Sequence, residues 1–288
     1  MAYPLPAYAS GMRGRRGGRR GVARPTEPIR EGDAPGPRRG AWLPWGGRLS
    51  DLGYAAALYE AVFGPPEEPG GRGALGAQVH RMLWTRIVDR DLAPGGRLFE
   101  DDIAALARVS RLPVRDAVAR LVEDGLLLRR GRGIQVRAFG PEDLDALYAY
   151  RALLEAHAAE IAARTVGAAQ IEALRDDQRR LRAALDHPEP RYVVDFLVAD
   201  LRLHDTVLAA AGNPYVRSAL RRIRGQIGLF QADGLRREED VRRALEEHCA
   251  LLDGLAAGDG AAAAAAMRRH VLAAGARVRR PGSPPGPS

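Results

Sequence analysis

The sequence predicts a mainly α-helical fold in two parts: three short helices closed by a β-hairpin, then a bundle of about six longer helices. Three observations carry this reading. From residue 74 onward apolar residues recur at helical spacing, and that spacing breaks once, at residues 126–137, into the alternation of a hairpin. Only a few residues separate the second short helix from the third, the signal of a helix-turn-helix. Beyond residue 140 no strand-like alternation returns, and Ala-, Leu- and Arg-rich segments run between breaks near Val166, His187, Gly212, Gly234 and Gly258.

The elements follow in order. Residues 1–72 are rich in Gly, Pro and Arg and too poor in apolar side chains to offset chain entropy, so they are expected to form a disordered extension, as is the tail at 281–288. Within the extension, the stretch LSDLGYAAALYEAVFG (49–64) is apolar enough for a short helix with no assigned role. The winged unit spans 73–139. Its first helix places Val79, Met82, Leu83 and Ile87 inward and ends near Asp89, before the turn at Pro94, Gly95 and Gly96. Its second covers about 100–107, with Ile103, Ala104 and Ala107 inward. The third opens at Ser110 as N-cap, tolerates Pro113 in its first turn and stops at Gly125. Val114, Ala117, Val118 and Leu121 form its buried stripe, which leaves Arg111 and Arg115 side by side off that stripe. Two strands then flank Gly131, Arg132 and Gly133 as a basic wing. The helical domain spans 140–280.

Charge agrees with a phosphate-facing N-terminal half. The net charge is +8 and the pI about 10.3, with 11 Arg against 7 carboxylates in residues 1–72, 12 against 8 in 73–139 and 21 against 21 in 140–288. Arg13, Arg15, Arg16, Arg19 and Arg20 would add only nonspecific contacts, so a nonspecific nucleic-acid binder is one rival reading. The single cysteine, Cys249, excludes an intrachain disulfide, and neither a signal peptide nor a membrane span is visible. A cytoplasmic protein without membrane partners is expected.

The segment RLFEDDIAALARVSRLPVRDAVARLVEDGLLLRRGRGIQV (97–136) resembles the DNA-binding domain of the GntR family of bacterial transcription regulators. The resemblance implies operator contacts from Ser110, Arg111 and Arg115, and a wing at Gly131, Arg132 and Gly133 that enters the minor groove. Two positions depart from the family pattern. Asp101 stands where an arginine is usual, and Arg108 where a glycine is common.

In the second half four residues stand out. Asp200 and His204, four apart on one helix, share a face and suit chelation; His248 and His270, on later helices, have aliphatic neighbours that turn them inward. Spacing alone is met equally by hydrogen-bonded core histidines. Residues 141–280 resemble the FCD effector domain of the FadR-type subgroup, which implies that these four hold a divalent transition metal, zinc or nickel in the first place. By the same resemblance Arg151 and Asn213 face a small organic acid effector, although an ion pair and a helix cap would also account for them. Six helices suggest the metal-binding, organic-acid-responsive branch. A homodimeric repressor on a near-palindromic operator, released by ligand, is the implied function. The rival is a metal-dependent hydrolase using the Asp and His residues, which leaves the winged unit unexplained.

Overall fold

The computed structural model describes residues 53–64, 73–131, 133–186, 192–235 and 237–280. The expectations for residues 1–52, 65–72, 281–288, Arg132 and the break near His187 lie outside them.

Helix α1 (Tyr54–Phe63) corrects the extent of the extension. Tyr54, Ala55, Leu58 and Tyr59 gather on one face and are buried, and the Tyr54 hydroxyl donates to the Gly228 carbonyl at 2.7 Å. The helix falls within the apolar stretch 49–64 noted in the sequence; its docking against the folded unit is what composition did not show.

The winged unit comprises α2 (Ala74–Val88), β1 (Arg97–Leu98), α3 (Glu100–Ala107), α4 (Arg111–Glu123), β2 (Leu127–Arg130) and β3 (Gly133–Val136). Val114, Ala117, Val118 and Leu121, the expected stripe of α4, are each 0% exposed. The wing is antiparallel, with Arg130 opposite Gly133 and Leu127 opposite Val136. β1 adds a third strand on the far side of β3, giving the order β1-β3-β2. Two residues are too few for a periodic signal, so β1 was invisible to pattern reading. Arg108, in the turn between α3 and α4, adopts φ 54, the left-handed conformation that explains why glycine is usual there. Ser110 occupies the N-cap position of α4, but its side chain makes no capping hydrogen bond.

Six α-helices build the second half: α5 (Pro141–Ala162), α6 (Ala168–Ala184), α7 (Tyr192–Ala211), α8 (Pro214–Gln231), α9 (Glu238–Ala256) and α10 (Gly260–Arg279), with a 3-10 turn at Ala232–Leu235. α10 lies along α5 and α9. The approach to α5 is close: a Cβ on Gly275 would stand 2.7 Å from Tyr148 Cγ. One apolar cluster runs from α1 and the winged unit into α7 and α9, and a second fills the rest of the bundle. Packing therefore continues across residue 140. Among the described residues no helix is long and apolar enough to cross a membrane.

Candidate functional site

Four residues from three helices meet inside the bundle. Asp200 and His204 project from one face of α7, His248 comes from α9 and His270 from α10, and all four are buried. Asp200 Oδ1 is the hub, 3.1 Å from His248 Nε2, 3.6 Å from His204 Nε2 and 3.7 Å from His270 Nε2. The Nε2 atoms of His204 and His270 are 3.2 Å apart. Each ring also has an outer partner at Nδ1: Gln178 Oε1 at 2.9 Å for His248, Glu247 Oε2 at 2.9 Å for His270, and Glu155 Oε2 for His204. Such acceptors favour a proton on Nδ1 and aim each Nε2 inward, where it can offer a lone pair to a cation or, when protonated, donate to Asp200. Gln231 Nε2 donates to Asp200 Oδ2 at 2.6 Å, so the carboxylate is oriented as well.

Inward lone pairs at these distances repel unless a proton or a cation lies among them. Asp200, His248 and His270 bring their ligand atoms within 4.8 Å of one another, and His204 adjoins them through Asp200 and His270. Nitrogen and oxygen donors in this mixture, each braced from outside, fit a divalent transition metal. Without metal the charge is divided unevenly. Burial alone would lower His204, but Glu155 and Asp200 raise it to about 9, whereas burial takes His248 down to about 4 despite its hydrogen bond to Asp200. Burial would raise Asp200, yet His204 and hydrogen bonds from the three histidines hold it well below the usual carboxylate range. Against the same penalty, Arg151 and His204 bring Glu155 down to about 2.

Arg151 reaches the centre from α5. Its Nε donates to Glu155 Oε1 at 2.6 Å, and its Nη2 lies 3.4 Å from His204 Nε2. With Asp200, His204 and Gln231 it lines a cavity of about 20 Å³. Asn213 does not join them: its Oδ1 accepts from the amides of Tyr215 at 3.0 Å and Val216 at 3.2 Å, capping α8. A side chain committed to two helix-start amides acts as a cap, the ordinary role that the sequence also allowed it. Glu155, Gln178, Gln231 and Glu247 were missed. Glu155 left one trace, its i, i+4 spacing from Arg151; the others meet their partners only through tertiary packing.

In the winged unit the predicted recognition residues lie at the surface. The Arg111 and Arg115 side chains are 64% and 61% exposed at the start of α4. Arg111 pairs with Asp101 at 2.6 Å, and Arg115 with Glu100 at 3.1 Å, so acidic residues of α3 occupy the arginines where phosphate would compete. Gly131 has φ 58 at the wing tip, and a Cβ on Gly133 would stand 3.4 Å from Leu98 O and Phe99 Cε1.

Residues 75–136 match the family described as bacterial regulatory proteins, gntR family, and residues 146–273 match the FCD domain. An HTH-type transcriptional regulator from Agrobacterium vitis, encoded in the TAR-I ttuE-ttuC' intergenic region, is 35% identical over 122 residues, 41% of this chain and 70% of that protein. The chain belongs to the GntR family. A second relative of this GntR regulator, the HTH-type transcriptional repressor RspR of Escherichia coli K12, is 25% identical over 203 residues, 70% of this chain and 88% of that one. The solved structure of E. coli McbR/YncC shares the fold, with TM-score 0.53 and 22% identity over 69% of this chain and 93% of the other. The protein is therefore a DNA-binding transcription regulator, and the hydrolase alternative falls away.

Proposed function

We propose that this GntR-family protein is a homodimeric repressor whose affinity for operator DNA is modulated by a small organic acid bound beside a divalent transition metal. The observation that carries the proposal is the buried convergence of Asp200 Oδ1 with the Nε2 atoms of His204, His248 and His270, next to the Arg151 guanidinium. Asp200, His204, His248 and His270 would hold the metal, which would supply a Lewis-acidic position for an effector carboxylate. Arg151 adds a charge-assisted donor on the same side, while Glu155 keeps Arg151 and His204 oriented.

DNA recognition falls to α4 and the wing. Arg111 and Arg115 exchange Asp101 and Glu100 for DNA, Ser110 adds its hydroxyl at the helix start, and Gly131, Arg132 and Gly133 enter the neighbouring minor groove. The exchanged ion pairs are exposed and worth about 0–1 kcal/mol each, so losing them costs little against phosphate and base contacts. Two copies read the halves of a near-palindrome. The effector shifts this equilibrium only as far as it favours one dimer arrangement over the other. The name of RspR, a repressor, supports assigning repression.

The test combines elemental analysis of wild type and His204→Ala with retardation of the protein's own promoter DNA. Near-stoichiometric metal in the wild type, reduced in the variant, with sequence-specific shifting that a carboxylate relieves, is the expected outcome. Shifting without metal would reduce the four residues to core packing.

A further inference from the structure

The cavity beside Arg151 is closed by α1, a helix outside both matched segments. Leu58 and Val62 form part of its wall. Leu58 is 2% exposed and seated so deeply that a Cβ on Gly228 would stand 2.5 Å from its Cδ2, so glycine on α8 makes room for it. What remains, about 20 Å³, holds roughly one water and no organic acid. The same helix is joined to the winged unit. The Tyr59 hydroxyl lies 2.9 Å from His80 Nδ1, and the rings of Tyr59 and Phe63 stand edge-on to Trp84 at 5.5 and 6.0 Å. Trp84 in turn packs where Gly225 of α8 leaves space, with its Nε1 unpartnered.

We propose that α1 is a built-in plug of the effector cavity, displaced when the aliphatic tail of the effector takes the place of Leu58 and Val62. This rests on the effector reading above and adds its ligand class and its relay. Its polar lining is Arg151, Glu155, Asp200, His204, Arg224 and Gln231, with Arg151 paired to Glu155 and Arg224 to Asp205, and its apolar lining includes Leu201, Leu208 and Ile227. A monocarboxylate with a short branched tail suits this mixed lining, its charge taken by Arg151 and the metal. Acetate leaves the leucine and isoleucine side chains uncovered, and a tricarboxylate buries charge against them. Exchanging Leu58 and Val62 for an aliphatic tail is close to balanced, so the carboxylate contacts must offset what else α1 gives up, including the Tyr54 hydrogen bond to Gly228 and the burial of Tyr59. Because α1 also grips His80 and Trp84, its release frees α2 and with it the pose of the winged unit.

The probes are acetate and 4-methylpentanoate, whose isobutyl end copies a leucine side chain, titrated calorimetrically into the full-length metal-loaded protein. A Trp42→Phe/Trp45→Phe background leaves Trp84 as the sole indole, so its emission reports on α1. Expected are a red shift of Trp84 with 4-methylpentanoate, and Leu58→Ala binding it roughly tenfold or more tightly than wild type, as when a buried leucine stops competing. Leu58→Met should bind it as wild type does, and Arg151→Ala should lose both acids. Heat from 4-methylpentanoate with a silent Trp84 and unchanged affinity in Leu58→Ala overturns the plug alone. Heat from neither acid in any variant overturns the effector reading and the plug with it. If Leu58→Ala does not fold, the emission of the Trp42→Phe/Trp45→Phe protein with Leu58 intact decides: red-shifted on binding for the plug, unmoved against it.

Discussion

At the scale of single residues, this chain keeps two uncommon choices in its helix-turn-helix. Arg108 sits at φ 54, a conformation that costs an L-residue roughly 1–2 kcal/mol and glycine almost nothing. Part of that gain is offset by the greater freedom of glycine in the unfolded chain. Arg108→Gly should therefore stabilise the protein by about 0.5–1 kcal/mol in urea denaturation. Asp101 is the second choice. It neutralises Arg111 where an arginine would draw in phosphate, so Asp101→Asn should tighten binding to all DNA sequences by about 0.5–1 kcal/mol in retardation assays. Arg115→Ala should instead weaken operator binding by about 1–3 kcal/mol and narrow the preference for operator over random DNA. Uniform weakening would mean that Arg115 touches only phosphate.

Among the elements, the joints between wing, helix and bundle have the most to say. The Asp143 carboxylate accepts from the Gly140 amide at 2.9 Å and from Arg137 at 3.1 Å, tying the end of β3 to the first turn of α5. The Gly140 hydrogen bond, aided by Arg137, lowers the Asp143 carboxyl below its ordinary 3.8 against a smaller desolvation penalty. A carboxylate with a lowered folded pKa stabilises above its unfolded value and loses that contribution as pH falls through the folded one. The stability difference between wild type and Asp143→Asn should accordingly persist at pH 5–7 and shrink as pH drops below about 4, read by thermal unfolding. The second joint is the glycine notch of α8. A Cβ at Gly225 would stand 2.7 Å from Leu126 Cδ1 and 2.9 Å from Trp84 Nε1, so Gly225→Ala should cost about 1–3 kcal/mol. Unchanged thermal stability would mean that the winged unit yields freely at this contact.

In the whole molecule, a single apolar cluster shared by α1, the winged unit and the bundle links the elements around the cavity beside Arg151 to those that carry α4. Metal should strengthen that linkage, because a ligand that binds only the folded state stabilises by mass action. Removing it with a chelator is expected to lower the unfolding temperature of the wild type and leave His204→Ala nearly unmoved. An equal drop in both proteins would place the metal elsewhere.

The sequence by itself determined most of the architecture, since helical and strand periods are local properties written in consecutive residues. The α4 stripe, the Arg111 and Arg115 pair, the glycine wing and the six bundle helices were all legible for that reason. Asp200 and His204 were legible as a pair because four residues bring side chains onto one helical face. That His248 and His270 turn Nε2 toward the same carboxylate, and that Gln178, Glu155 and Glu247 hold the other nitrogens, was decided only by the packing of α5, α6, α7, α9 and α10. The placement of α1 was likewise tertiary. Its short apolar face carries no sign of where it docks, because the surface that receives it is assembled from α2, α7 and α8, residues distant in the chain and joined only by folding.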